Sequence, residues 1–338
     1  MGNAHVKFQD PSLVGDALPV IGKAPFKMPA YMPVLVSTLA LLVLSALVAP
    51  RTMSAISLGA MLPFAAILAV AAVGQTLVVQ QRGIDLSVGG SISLAAVLIA
   101  AGPAKLGVSV FVMVPVVLVL CGLVGLLNSV LVSRLLITPL VATLAVNAIL
   151  VGVALLYTSG SSSATATELS AAVSVRFLGL PMLVWISLLF VAVLAVLASK
   201  SRLGRQFVLT GASPATAVSN GIRVERNVVL AYAVAGICYG VAGILLAGYL
   251  QNVTVNAGGS YLMSVIAVVI VGGTPLTGGR GTIVGTAIAA LFMSQLIQLV
   301  LTLGAPTATQ MLIQAVAITV AAVLGALKIG PRRGAPPS

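Results

Sequence analysis

The chain has 338 residues, of which 60% are hydrophobic and only 7% are charged, although its formal net charge is +12. Soluble domains carry about 25% charged residues, so this composition excludes a soluble globular protein. The 17 Lys and Arg residues are scattered between apolar runs, which also argues against a nucleic-acid-binding protein. The sequence therefore predicts an integral membrane protein.

The composition also excludes several kinds of chemistry. The single histidine is His5, in a polar N-terminal stretch, so histidine-based catalysis and a histidine-rich metal site are not expected. Cys121 and Cys238 each lie inside an apolar run, where a small packing residue is the ordinary role of cysteine. The sequence has no Walker A phosphate-binding motif. We thus predict no catalytic residue, no metal ligand and no cofactor on this chain.

Ten apolar segments follow along the chain, and most are about 20 residues long, as the bilayer requires. A helix of that length crosses a hydrocarbon core of about 30 Å, whereas barrel strands would alternate in polarity over about 10 residues. The segments are residues 33–50, 54–80, 84–102, 108–132, 138–158, 180–199, 227–250, 257–274, 282–302 and 309–328. We predict an all-α polytopic membrane protein with about ten transmembrane helices in residues 33–328. Residues 1–32 and 329–338 are predicted to be cytoplasmic tails.

The basic residues orient these helices. With the N-terminus inside, only Arg51, Lys105 and Arg176 of the 17 Lys and Arg residues fall outside. Cytoplasmic connections are enriched in Lys and Arg, so this orientation is strongly favoured over its reverse. An even number of helices then places both termini in the cytoplasm.

The Asp85 segment, residues 83–91, joins the second apolar segment to the third and has the sequence Gly-Ile-Asp-Leu-Ser-Val-Gly-Gly-Ser. An ionisable group beside hydrocarbon costs about 2.5–3.5 kcal/mol on insertion scales, so it needs a partner or a function. Asp85 or Ser87 can cap the following helix; alternatively the segment forms a gate at its cytoplasmic end. We expect Arg82 or Arg134 to be the ionic partner of Asp85. The candidate cap or gate residues are Asp85, Ser87, Gly89 and Gly90.

The longest cytoplasmic connection is predicted at residues 200–226, and its middle has the signals of a short helix. Ser213 suits the N-cap, Pro214 the first helical position and Gly221 the end. A polar surface helix and a docking element for a partner protein are both compatible with this pattern. The candidate docking residues are Ser213, Pro214, Ala215, Thr216, Ala217, Val218, Ser219, Asn220 and Gly221.

Two short matches indicate an internal repeat. Gly89-Gly-Ser-Ile-Ser-Leu and Gly258-Gly-Ser-Tyr-Leu-Met each stand near the start of a short apolar run, one entered from inside and the other from outside. This pattern is typical of an inverted-topology repeat. We predict an inverted 5+5 repeat in which the second to fifth segments correspond to the seventh to tenth. The glycine-rich residues 271–282 lack the Walker lysine and are predicted to form a tight cytoplasmic turn.

Uncharged polar residues within the apolar segments are candidates for a solute pathway. An amide or hydroxyl lining suits a neutral hydroxylated solute, whereas an ion-coupled carrier generally needs charged groups near the midplane. Each of these residues can instead bond a neighbouring helix. The candidates are Gln75, Asn128, Thr143, Asn147, Asn252, Asn256 and Gln295.

Several of these motifs together resemble the permease subunits of ribose-type monosaccharide ABC importers. The motifs are Gly74-Gln-Thr-Leu-Val, Gly83-Ile-Asp-Leu-Ser-Val-Gly, Leu127-Asn-Ser-Val-Leu-Val-Ser-Arg134, Thr138-Pro-Leu-Val-Ala-Thr-Leu144, Ser201-Arg-Leu-Gly-Arg-Gln206 and the run from Ile266 to Thr286. The resemblance covers about residues 55–328. Residues 210–217 depart from the family pattern, which leaves the fold as expected and the solute open.

The resemblance implies a pore of two permease copies, as a homodimer or with a paralogue, in the bacterial inner (plasma) membrane. It implies cytoplasmic ATP-binding subunits and a periplasmic sugar-binding protein, and no nucleic acid. Residues 212–221 would be the coupling helix that docks on the ATPase, and the chain itself would be a transport subunit rather than an enzyme. The alternatives are an ABC permease for a branched-chain amino acid or nucleoside, and a stand-alone secondary carrier.

Overall fold

The computed structural model describes residues 29–327, and this part of the chain is almost entirely helical. The α-helices are α1 Met32–Val48, α2 Ala55–Gln80, α3 Val88–Leu106, α4 Val110–Ser133, α5 Pro139–Thr158, α6 Thr167–Ser174, α7 Met182–Lys200, α8 Arg202–Ala212, α9 Pro214–Ser219, α10 Val224–Leu250, α11 Tyr261–Val271, α12 Ile283–Thr302 and α13 Thr307–Leu327. Strand β1 (Ser163–Ala164) pairs antiparallel with β4 (Asn252–Val253), and β2 (Arg176–Phe177) with β3 (Leu180–Pro181). Most of the predicted N-terminal tail and the whole predicted C-terminal tail lie outside the described range.

In the part of the chain that the structure describes, seven helices are long and apolar enough to cross a membrane: α2, α3, α4, α5, α7, α10 and α12. The prediction of an all-α polytopic membrane protein is therefore confirmed. Two of the other predicted segments coincide with shorter helices, Met32–Val48 and Tyr261–Val271, and the tenth coincides with α13, Thr307–Leu327. The 11 residues of α11 extend only about 16 Å, roughly half of a hydrocarbon core. The count of ten membrane-spanning helices is thus not confirmed.

Hydroxyl side chains fix the start of several helices. Each accepts a hydrogen bond from a backbone N–H two or three residues further along, and satisfies one of the unpaired donors that every helix start presents. These N-cap residues are Ser54, Ser109, Ser201, Ser213 and Thr282. Such a cap stabilises a helix by about 1 kcal/mol, so the boundaries of α2, α4, α8, α9 and α12 follow from local sequence.

Helices α2 and α10 form the centre of the bundle. α10 packs against α4, α2 and α3, while α2 also packs against α12, α7 and α11. A Cβ at Gly236 of α10 would overlap the Cys121 carbonyl oxygen, and one at Gly243 would lie 2.6 Å from the Ile92 carbonyl oxygen. Close backbone approach of this kind is what drives helix association where lipid is as apolar as the side chains. The glycine spacing of α10 therefore serves packing within the chain.

Candidate functional site

The Asp85 segment interrupts the helical path between α2 and α3 inside the protein. α2 ends at Gln80, α3 begins at Val88, and Asp85 between them is fully buried. Asp85 lies beside Gln75, five residues before the end of α2, so the chain turns back about 8 Å along α2. Asp85 therefore stands before α3, not at the cytoplasmic end of a longer third helix. Non-helical backbone at this depth requires that the protein itself bond its polar groups.

Side chains from α5 satisfy the backbone donors of the Asp85 segment. The Leu86 N–H donates to Thr143 Oγ1 (2.8 Å), and the Gly90 N–H donates to Asn147 Oδ1 (2.7 Å). Thr143 and Asn147 are one helical turn apart on α5, so both oxygens face the same strip of backbone. α5 thus supplies the hydrogen bonds that a continuous helix would have made internally.

The Gln75 amide pairs with the backbone of Asp85 on the opposite side. In the orientation that satisfies every partner, its oxygen accepts from the Asp85 N–H (3.1 Å). Its nitrogen donates to the Asp85 carbonyl oxygen (3.1 Å) and to the Tyr239 hydroxyl (2.7 Å). The side-chain amide of Gln75, within helix α2, therefore bonds both backbone groups of Asp85, as a neighbouring β-strand would do.

Glycine is required at two positions of the Asp85 segment, Gly83 and Gly90, and Gly89 leaves little space for a side chain. A Cβ at Gly83 would lie 2.6 Å from the hydroxyl oxygen of the buried Tyr232. At Gly90 it would lie 2.8 Å from the Asn147 carbonyl oxygen, and at Gly89 3.3 Å from that of Gly258. Contact between Gly89 and Gly258 brings the starts of α3 and α11 together inside the bundle.

The Asp85 carboxylate is bonded by neutral donors. Its Oδ1 accepts from the Ser87 N–H (2.9 Å), from the Ser87 hydroxyl (2.6 Å) and, at 3.4 Å, from the Asn128 amide. Ser87 is the N-cap residue of α3, yet its own side chain makes no capping bond. Among residues 29–327, Asp85 Oδ2 has no hydrogen-bond partner.

The prediction that Arg82 or Arg134 is the ionic partner of Asp85 is wrong. Arg82 donates to two backbone carbonyls at the end of α8. Arg134 forms an exposed ion pair with Glu225, at 3.0 Å between Nε and Oε1. Both arginines reach partners at helix ends, whereas Asp85 is fully buried. Sequence proximity and charge could not reveal this difference in depth.

The residues proposed for a solute pathway lie in three separate places. Four of them surround the Asp85 segment and bond it or its neighbours: Gln75, Asn128, Thr143 and Asn147. Asn252 and Asn256 are exposed, in the connection between α10 and α11. Gln295 is buried in α12, where its Nε2 lies 3.9 Å from Met53 Sδ. The structure therefore does not bring all seven residues together.

Tyr232 and Tyr239 belong to the site, although neither is among the site residues predicted from the sequence. Both are fully buried in α10 and lie seven residues apart, so they face the same side at positions two turns apart. Two tyrosines at this spacing within an apolar helix are the signal that could have found them. Tyr232 contacts Gly83 and Tyr239 bonds Gln75, so α10 closes the side of the site opposite α5.

The connection between α7 and α10 contains α8 and α9. The short helix predicted around residues 211–221 is confirmed as α9. Ser213 is its N-cap (Thr216 N–H to Ser213 Oγ, 3.3 Å), Pro214 is in its first turn, and Gly221 with φ of +72° follows its end. Helix α8 was not predicted; it precedes α9 with only Ser213 between them.

The end of α2 and the turn after it form hydrogen bonds with helix α8 and with the glycine-rich turn of residues 271–282. Gln80 Nε2 donates to the Gly281 carbonyl oxygen (3.0 Å), in the glycine-rich turn of residues 271–282. Gln81 Nε2 donates to the Phe207 carbonyl oxygen of α8 (3.1 Å). The glycine-rich turn and α8 therefore both lie against the end of α2, immediately before the Asp85 segment.

A cavity of about 310 Å³ lies beside the start of the Asp85 segment. Its lining comprises Gln81, Arg82, Gly83, Val132, Ser133, Pro139, Val224, Glu225, Val228 and Tyr232. The Tyr232 hydroxyl in this wall has no hydrogen-bond partner within the described part of the chain. The cavity thus connects the ends of α2, α4, α5 and α10 rather than the middle of the bundle.

Residues 57–323 match the model of a family described as the permease component of the branched-chain amino acid transport system. These residues include the Asp85 segment, α8, α9 and the glycine-rich turn. No solved structure matches the chain.

Curated proteins give closer matches. The chain is 34% identical to the ribose import permease protein RbsC of Escherichia coli over 297 residues, 85% of this chain and 92% of that protein. It is 33% identical to the same-named protein of Haemophilus influenzae, over 75% of this chain and 80% of that one. It is also 36% identical to the autoinducer 2 import system permease protein LsrD of Escherichia coli, over 68% of this chain and 72% of LsrD.

Proposed function

The chain belongs to the family of permease components of the branched-chain amino acid transport system, and on this premise we propose that it is the permease subunit of an ATP-driven monosaccharide importer. The observation that carries the proposal is the match to a ribose import permease across 85% of the chain and 92% of that relative. The chain is a membrane transport subunit, and its place is the bacterial inner (plasma) membrane. The resemblance to ribose-type permeases recognised in its sequence motifs is confirmed by these relatives.

The solute is a neutral, hydroxylated small molecule. The polar residues considered for the pathway are amides and hydroxyls without charge, which suits a sugar better than a zwitterionic amino acid. An amino acid would need fixed charges or helix ends to neutralise its ammonium and carboxylate groups. The family description keeps a branched-chain amino acid as the second candidate.

ATP hydrolysis takes place on partner subunits, and a pair of permease copies forms the pore. The sequence lacks a Walker A motif, and α9 offers a docking element on the cytoplasmic side. Within α9 only Ala217 is buried; Ala215, Thr216, Val218 and Ser219 are exposed. This uncharged outer face suits insertion of α9 into a groove of an ATP-binding subunit. A periplasmic sugar-binding protein delivers the solute from the other side.

We also propose that the fold is an inverted repeat of ten helices in which α2–α5 correspond to α10–α13. The packing supports it: α3 lies on α5 as α11 lies on α13, and α10 lies on α4 as α2 lies on α12. The starts of α3 and α11 meet through the Gly258 N–H, which donates to Ser93 Oγ (2.9 Å). Corresponding helices thus have corresponding neighbours, as a two-fold axis in the membrane plane demands.

The orientation is tested by cysteine labelling of exposed positions. Ser162 precedes β1 on the proposed outer side, and Ser219 lies in α9 on the cytoplasmic side. We expect Ser162→Cys to react with an impermeant reagent in intact cells, and Ser219→Cys to react only in opened vesicles. The reverse pattern contradicts the proposed orientation.

Docking of α9 is tested by placing a charge on its exposed face. We expect Val218→Asp to insert normally and to lose at least tenfold in sugar uptake, because an uncompensated carboxylate in a protein interface costs several kcal/mol. Ser162→Asp, on the other side of the membrane, is the matched control. Full uptake by the Val218→Asp complex contradicts docking through α9.

The mode of transport is tested by reconstitution in liposomes. The permease with its ATP-binding subunits and binding protein should accumulate a monosaccharide only when ATP is present on the cytoplasmic side. The permease alone should accumulate none. Uptake by the permease alone would identify a secondary carrier and refute the proposal.

A further inference from the structure

Arg82 joins the end of α8 to the turn after α2. Its Nε donates to the Gly211 carbonyl oxygen and its Nη2 to that of Ala212, both at 2.7 Å. These are the last two residues of α8, where carbonyl oxygens lack helical partners and the helix dipole favours a cation. A planar guanidinium bound at two points fixes direction as well as distance.

The backbone at Arg82 is held in an unusual conformation. Its φ is +65°, a region that residues other than glycine rarely occupy and that persists only where surrounding structure enforces it. At the next residue, Gly83, an added Cβ would lie 2.6 Å from the Tyr232 hydroxyl oxygen, so only glycine fits there. Asp85 follows two residues later. Only two residues separate Arg82 from Asp85, so a rotation of the Arg82 backbone changes the position at which the Asp85 segment begins.

Helix α8 and the end of α2 are also in close backbone contact. A Cβ at Gly211 would overlap the Gln80 carbonyl oxygen. The same carbonyl accepts a bond from the Gly279 N–H (3.0 Å), and a Cβ at Gly279 would lie 2.5 Å from the Ala212 nitrogen. Because these are backbone-to-backbone contacts, α8 cannot shift without moving the residues that precede Arg82.

We propose that Arg82 is a positioning residue that transmits movement of α8 and α9 to the Asp85 segment during transport. This proposal rests on the proposed function, since α9 is the element on which an ATP-binding subunit would act. Only Ser213 separates α9 from the two carbonyls that Arg82 holds. A displacement of α9 is thus transmitted through Ser213 to the carbonyls that Arg82 binds. Asp85 follows Arg82 three residues later in the chain.

Arg82→Asn separates this role from a structural one. Asparagine tolerates positive φ, so the turn is kept, but its side chain is too short to reach the α8 carbonyls. In the complete complex with ATP-binding subunits and binding protein, we expect co-purification and ATP hydrolysis to stay within twofold of wild type. Sugar uptake should fall at least tenfold, so that the amount of sugar moved per ATP hydrolysed collapses. Arg82→Lys keeps a single charged donor group, so its amount of sugar moved per ATP hydrolysed should lie between those of wild type and Arg82→Asn.

Arg205→Asn is the matched control, because Arg205 is also on α8 and, among the described residues, donates only to the Lys200 carbonyl oxygen at the end of α7 (3.2 Å). It should keep the wild-type ratio of uptake to hydrolysis. An unchanged ratio in Arg82→Asn overturns the proposal, and so does loss of the ATP-binding subunit, which would place Arg82 in docking. Failure of the proposed function shows separately, as a wild-type complex that takes up no sugar with ATP.

Discussion

The Asp85 segment and the connection between α10 and α11, residues 251–260, both interrupt apolar helices with glycines and polar side chains. The first is buried, and side chains from α2, α4 and α5 bond it. The second bonds its backbone through local turns, such as Ala257 N–H to Thr254 (3.1 Å), through the pairing of β4 with β1 and through Ser93 of α3, and it leaves Asn252 and Asn256 exposed. The polar side chains around the Asp85 segment are therefore committed to structure, whereas those of Asn252 and Asn256 stay exposed.

The largest difference between the two regions is expected on adding a methyl group. Gly90→Ala would place a Cβ 2.8 Å from the Asn147 carbonyl oxygen and 3.0 Å from the Leu150 Cβ. Because neither atom can move freely, we expect a loss of up to about 3 kcal/mol in the free energy of unfolding. Gly259→Ala meets only the end of the Asn256 side chain and should cost less than about 1 kcal/mol. Unfolding in detergent measures the loss of stability of both variants. Equal losses would show that the two regions are packed equally tightly, contrary to the comparison.

A smaller effect is expected from removing a hydrogen-bond acceptor. Asn147→Ala leaves the Gly90 N–H without its partner inside the protein. An orphaned buried donor of this kind should lower stability by about 1–2 kcal/mol. The exposed Asn252→Ala is the control and should change stability by less than about 0.5 kcal/mol. A stable Asn147→Ala protein would show that α5 does not support the Asp85 segment.

The smallest effect on stability, with a distinct effect on transport, is expected at Asn256. Asn256→Ala should leave unfolding unchanged, since the side chain is exposed. If Asn256 bonds the passing solute, the apparent KM for uptake should rise about fivefold, which corresponds to one lost bond of about 1 kcal/mol. Unchanged uptake kinetics would remove Asn256 from the pathway.

Much of the fold follows from local sequence. The apolar segments coincide with helices because hydrocarbon demands apolar length, and Ser213, Pro214 and Gly221 delimit a short helix through capping chemistry. The glycine-rich residues 271–282 form the expected turn between α11 and α12. These predictions succeed because each depends on residues that are close together in the chain.

The site is less predictable because its partners are distant in sequence. The Asp85 segment was recognised, but the start of α3 at Val88 depends on acceptors supplied by α5, more than fifty residues away. The distribution of charges along the sequence suggested an arginine partner for Asp85, but it could not show that Asp85 is fully buried. Helix α8 was hidden because its pattern, with buried Gly204, Phe207 and Thr210 between exposed residues, is too short to stand out beside apolar spans.

The measurement that tests the central claim most directly is ATP-driven uptake in liposomes that contain the complete complex. Labelled monosaccharides, with ribose first, are compared with labelled leucine at equal concentration, with and without ATP. The account predicts that at least one monosaccharide accumulates only with ATP and that leucine does not. Accumulation of leucine, with no monosaccharide transported, would contradict it.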